Sequence, residues 1–93
     1  MEIVILIPTP LRPYTDDQKA ITLTGNTVGD ILEQLTVRFP RLGKHLYNED
    51  GNLRSFVNVY LNDEDIRYLD NEKSIVKNGD TISIIPSIAG GFA

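Results

Sequence analysis

The sequence has no cysteine, one histidine and no apolar run longer than a strand. Without cysteine it can form neither disulfides nor thiolate metal sites, and such a chain is compatible with the cytosol. With His45 as the single histidine, a Cys–His pair and a multi-histidine metal centre are both excluded. The longest apolar stretches, Ile3 to Ile7 and Ile82 to Ile85, fall far short of the roughly 20 residues that a bilayer span needs. Met1-Glu2 puts an acid where a secretory signal carries bases, and no small-residue cleavage site follows, so the expected location is the cytoplasm. Positive charge is scarce as well: nine Lys and Arg stand against thirteen Asp and Glu, a net charge of −4. Phosphate backbones are bound by clustered positive surface, so neither nucleic acid nor a membrane is an expected partner, and a basic protein is.

The 93 residues, 41% hydrophobic and 24% charged, amount to one domain. Area scaling lets a chain of this mass bury nearly two-thirds of its roughly 15,000 Å² of open-chain surface, enough for one core without staples. Ile3 to Ile7, rich in β-branched residues and stopped by Pro8, predicts a central strand buried on both faces. Pro10 and Pro13 mark Thr9 to Asp17 as a loop, leading to a second strand near Ala20 to Leu23 and an antiparallel hairpin. Thr27 and Asp30 have the spacing of a capping box. Val28, Ile31, Leu32, Leu35 and Phe39 then form one apolar stripe, a helix of about three turns that Pro40 ends. A helical turn over Leu42 to Tyr47, a polar loop over Asn48 to Asn52, and a strand over Phe56 to Leu61 follow. Ile66 to Leu69 predicts a short return strand of edge character, Asn78-Gly79 a tight turn with left-handed residues, and Thr81 to Ile85 the last strand. The order is ββαβββ, and one helix can cover only one sheet face: a two-layer α+β sandwich.

Catalytic patterns are missing. Asp63-Glu64-Asp65 with Asp70 and Glu72 invites a divalent cation, but the EF-hand positions that need Gly and Glu hold Tyr68 and Ser74. A loop started at Asn48 puts Leu53 and Val59 there, so no metal is expected. No G-x-S-x-G elbow surrounds Ser55, Ser74, Ser83 or Ser87, and His45 reads as a structural side chain. Asp16, Asp17 and Glu33 give no basis for a general acid–base pair. The chain reads as a substrate or a binding module, with no enzymatic activity and no bound cofactor.

The ending Ser87-Ile-Ala-Gly-Gly-Phe-Ala93 is the informative feature. At an average Gly usage of about 7%, two adjacent Gly arise at a given place roughly once in 200. Two residues without Cβ make a thin, permissive rod that can thread a narrow cleft and deliver a carboxylate to another protein's active site. With the ββαβββ order and the acidic surface, this tail resembles the β-grasp, ubiquitin-like sulfur carriers, a family that includes the molybdopterin-synthase small subunit and the thiamine-pathway carrier. Ile7-Pro-Thr-Pro-Leu-Arg-Pro13 with Gln18-Lys19, and Phe56-Val-Asn-Val-Tyr-Leu-Asn-Asp-Glu-Asp-Ile-Arg67, are similar to the branch that supplies sulfur for cysteine synthesis.

That resemblance implies a β-grasp domain over residues 1–88 with its first and last strands parallel and adjacent, and a flexible tail over residues 89–93. It implies ATP-dependent adenylation of a terminal Gly carboxylate by a ubiquitin-activating-type enzyme, which uses the ATP and exchanges AMP for sulfide. Sulfur then passes from the thiocarboxylate to a cysteine-synthase-like acceptor enzyme. Ala89, Gly90 and Gly91 would thread the partners' active sites, with Gly91 the reacting residue. Phe92 and Ala93 mask Gly91, and family members with such extensions are trimmed by a JAMM-type zinc metalloprotease, so the chain is expected to be a precursor. The exposed sheet face beside the tail would dock on the adenylating enzyme through Phe56 and Tyr60, with Asp63 and Asp65 steering toward basic partners. The free protein is expected to be a monomer. A protein modifier, joined through Gly91 to lysines of other proteins, uses the same activation step and is the alternative.

Overall fold

The computed structural model describes residues 2–86. Its five-stranded mixed sheet is built from β1 (Glu2–Leu6), β2 (Ala20–Thr24), β3 (Val57–Leu61), β4 (Glu64–Asp65) and β5 (Thr81–Pro86), in the spatial order β2-β1-β5-β3-β4. β1 and β2 form the antiparallel hairpin, with Ile5 opposite Ile21. β1 and β5 run parallel through the sheet, with Ile5 beside Ile82, and β5 pairs antiparallel with β3, where Val57 faces Pro86. The β-grasp expected from the sequence is the fold observed.

Two helices lie on one face of this sheet. α1 (Val28–Arg38) opens with a complete capping box. The Thr27 hydroxyl accepts the Asp30 N–H at 3.1 Å, and Asp30 Oδ2 accepts the N–H groups of Asn26 and Thr27 at 3.2 and 3.3 Å. Two donors that a helix start leaves orphaned, those of Thr27 and Asp30, are thereby partnered, and the Asn26 N–H with them. Pro40 ends one helix and starts another: it is the first residue of α2 (Pro40–Leu46), where its missing N–H has no partner to lose. Val28, Ile31, Leu32, Leu35 and Phe39 are all buried, against Ile3, Ile5, Ile82, Ile84, Val57 and Val59 of the sheet.

Four expectations are corrected. β1 is not buried on both faces: Ile3 and Ile5 are fully enclosed, whereas Leu6 is 43% exposed, because the helices cover only one side. Thr9–Tyr14 is a 3-10 helix rather than a loop, since Pro10 and Pro13 hold φ near the helical value and Leu11 turns into the core. Ile66–Tyr68 is also 3-10 rather than a return strand; the return strand is Glu64–Asp65, and Ile66 drops into the core. In the Asn78-Gly79 turn only Gly79 is left-handed, at φ +90°.

Candidate functional site: the root of the C-terminal tail and the open sheet face

β5 positions everything that follows it. It starts beside the β3–β4 turn, where the N–H of Asn62 donates to Thr81 O at 2.7 Å, and it ends at Pro86, paired with Val57. The tail is therefore rooted at the Val57 end of the sheet. Ala89, Gly90, Gly91, Phe92 and Ala93, and with them the expected boundary after residue 88, lie outside the described residues.

Strand alternation sorts the side chains around this root. Val57, Val59 and Leu61 point to the helices, and Asn58 and Tyr60 to the open face. Tyr60 sits across from Ser83, which lies beside Leu6, while Ile85 sits across from Asn58 and is 48% exposed. Val4, Leu6, Tyr60 and Ile85 thus form an apolar patch on the uncovered face, flanking the strand that leads to the tail.

Phe56 does not join that patch. It precedes β3, packs against the core, and lines a cleft of about 290 Å³ with Leu11, Lys44, His45, Arg54 and Pro86, on the helix side of the tail root. Asp65 is buried, and its charge is paired. Its carboxylate accepts from Arg67 Nη2 at 2.6 Å, from Arg67 Nε at 3.1 and 3.2 Å, and from the Arg67 N–H at 2.9 Å. Those hydrogen bonds hold its carboxyl below the usual carboxylate range. Arg67 also donates to Asn58 Oδ1 at 2.6 Å, so the pair closes the β4 edge of the open face. Asp63 is exposed but lies in the β3–β4 turn, beside the start of β5 and a full strand length from the tail root. Of the four residues expected to dock partners beside the tail, the structure puts Tyr60 on the open face and Phe56 in the cleft. It moves Asp63 to the far end and ties up Asp65. What sequence reasoning missed are Val4, Leu6 and Ile85, whose positions within apolar strands carry no sign of which face stays uncovered.

His45 is exposed and stacks on Tyr14, ring centroids 4.1 Å apart, as a structural side chain would. Among the described residues no group of three His, Asp or Glu is arranged to hold a metal ion, and no helix is long and apolar enough to cross a membrane.

A mixed sheet of order 2-1-5-3-4 grasping one principal helix, with a strand at its centre that is followed in the sequence by Gly90-Gly91, defines a ubiquitin-like β-grasp protein. The chain belongs to the ThiS family, which it matches over residues 5–91. It is 36% identical to the sulfur carrier protein CysO of Mycobacterium tuberculosis across 98% of this chain and all of that one. Small archaeal modifier protein 3 of Haloferax volcanii is 37% identical over 70% of each chain. Among solved structures, the Amycolatopsis orientalis BexX/CysO complex contains a chain that superimposes with a TM-score of 0.86 at 38% identity, covering 96% of this chain and 99% of that one. Its relatives make this chain a small carrier-type protein rather than an enzyme.

Proposed function

We propose that the chain is a sulfur carrier that transports sulfur as a thiocarboxylate on Gly91, for cysteine or related sulfur amino acid synthesis. The observation that carries this reading is the extent of the family match: it runs almost the length of the chain and stops at Gly91, leaving Phe92 and Ala93 beyond it. A JAMM-type zinc metalloprotease would hydrolyse the Gly91–Phe92 bond and free the carboxylate. A carboxylate resists attack by sulfide. Attack of its oxygen on the α-phosphorus of ATP expels pyrophosphate and gives an acyl adenylate, and a sulfide sulfur then replaces AMP at the acyl carbon. The adenylating enzyme consumes the ATP, so the carrier needs no cofactor of its own, and the cytoplasm supplies the nucleotide. The cysteine-free chain offers no internal thiol to divert the adenylate into a thioester.

The apolar patch of Val4, Leu6, Tyr60 and Ile85 supports docking on such an enzyme, because it flanks the strand that aims the tail. Conjugation to lysines is the second reading, favoured by the modifier relative; the carrier reading has the longer match behind it. Intact-mass measurement after incubation with the adenylating enzyme, ATP and sulfide tests the proposal. A chain ending at Gly91 is expected to exchange one oxygen for sulfur. The uncut chain, and a Gly91→Ala variant ending at the same position, are expected not to, with unchanged circular dichroism. An unmodified Gly91-ended chain overturns the carrier, and sulfur on the uncut chain overturns the precursor. High-mass conjugates in cells would establish the modifier instead.

A further inference from the structure

The chain is acidic overall, yet its charge is segregated. Glu2, Asp63, Glu64 and Asp80 gather at the end where β1 and β5 begin, and Asp80 Oδ1 accepts from Asn62 across the β3–β4 turn at 3.3 Å. Arg12, Arg41, Lys44 and Arg54 gather at the opposite end, where β5 delivers the tail. Among the described residues none of these four cations is paired with a carboxylate, and the three arginines are oriented by other partners. Arg12 Nε donates to Ile7 O at 3.1 Å, and Arg54 Nε and Nη2 donate to Lys44 O at 3.2 and 3.0 Å. The Arg41 guanidinium lies 5.6 Å over the Tyr14 ring, which in turn stacks on His45. The one ion pair among the described residues is Arg67 with Asp65, on the β4 edge. A carbonyl or a ring orients a guanidinium but leaves its full charge in place, so among the described residues this end is net positive, with Asp16 and Asp17 in the loop after Arg12 offsetting only part of that charge.

The cleft beside Pro86 lies within that charge. Leu11 and Phe56 give it apolar walls, and Lys44, His45 and Arg54 a polar rim, with Lys44 and His45 exposed. We propose that this cleft and the cations around it dock an acidic protein surface, a nonpolar side chain flanked by carboxylates, that rims the channel into which a partner draws the tail. This reverses the basic partner expected from net charge, because what a partner meets beside the tail is the local field and not the sum over the chain. An apolar cleft with cations around it fits a side chain ringed by acids better than a bare anion, which would leave Leu11 and Phe56 unused. The proposal rests on the reading that a partner draws in the residues beyond Pro86, but its test uses neither ATP nor an activating enzyme, so the two can fail separately.

The experiment is a titration of the full-length, ¹⁵N-labelled chain with an acetylated, amidated peptide that has one leucine between two pairs of aspartates. Saturable shifts are expected at the amides of Lys44, His45, Arg54 and Phe56. Weaker binding is expected as salt rises and when alanine replaces the leucine. Lys44→Glu combined with Arg41→Glu should reduce the affinity at least about tenfold. Neither side chain is buried, and circular dichroism is expected to stay unchanged. Three results overturn the proposal: no response to the peptide, shifts centred on the open sheet face, or the same response to inorganic phosphate alone, which would make the cleft a simple anion site.

Discussion

Tyr47 keeps its phenol proton under conditions that would remove it from an open chain. Burial disfavours the phenolate, and Glu72, which accepts the hydroxyl at 3.4 Å, adds its negative charge; both push the group upward from its ordinary value. The folded chain thus holds the proton more tightly than the unfolded one. This linkage leaves stability intact below about pH 10, where both states are protonated, and erodes it as the unfolded phenol ionises above that. Tyr47→Phe should therefore cost no more than about 1 kcal/mol near neutrality, the scale of one ordinary hydrogen bond. It should also flatten the alkaline loss, which urea midpoints measured between neutral and strongly alkaline pH will compare. The neighbouring backbone is close as well: a Cβ at Gly29 would approach Glu72 O at 3.1 Å, so a side chain there would require the 3-10 turn at Asn71–Lys73 to give slightly.

α1 carries the core by its stripe, and its central contact is Leu35, fully enclosed between the sheet and α2. Leu35→Ala should destabilise the fold by about 2–5 kcal/mol, read from chemical denaturation, because the surroundings cannot collapse into the space it leaves. This helix was legible in the sequence, from the Thr27–Asp30 cap to the stop before Pro40, since cap chemistry and a 3.6-residue period are local signals. So were β1, β2 and β5, as short stretches rich in β-branched residues. The 3-10 segments were not: Thr9–Tyr14 and Ile66–Tyr68 are set by where Leu11 and Ile66 must go, a tertiary demand without a periodic trace. The site divides in the same way. A Gly-Gly tail can be read directly, but the contribution of Leu6 and Ile85 depends on which sheet face the helices leave open, and the fate of Asp65 on the reach of Arg67 two residues later.

Across the whole molecule, charge and apolar surface are arranged relative to the tail. Asp63 lies at the acidic end, so Asp63→Asn should leave the rate of association with an adenylating enzyme unchanged in stopped-flow measurements. Asp65→Asn should act on stability instead. The pairing with Arg67 depresses the Asp65 carboxyl, so its stabilisation is present at neutral pH and fades as pH falls below the ordinary carboxylate value of about 4. Thermal midpoints should accordingly separate wild type from Asp65→Asn at neutral pH and converge in acid.

The parallel pairing of β1 with β5 also bears on how the protein is made. β5 is the last strand to be synthesised, yet it lies between β1 and β3, so neither half of the sheet has its inner neighbour until Pro86 has emerged. A chain cut short before that point is left with a β1–β2 hairpin whose Ile3 and Ile5 lack much of their cover and whose inner edge offers unpaired amides, the kind of surface that aggregates or is degraded. Closing the sheet joins residues from opposite ends of the sequence, the kind of long-range pairing that slows folding. Folding thereby doubles as a length check: every molecule that passes it already has the strand from which the Gly-Gly segment departs.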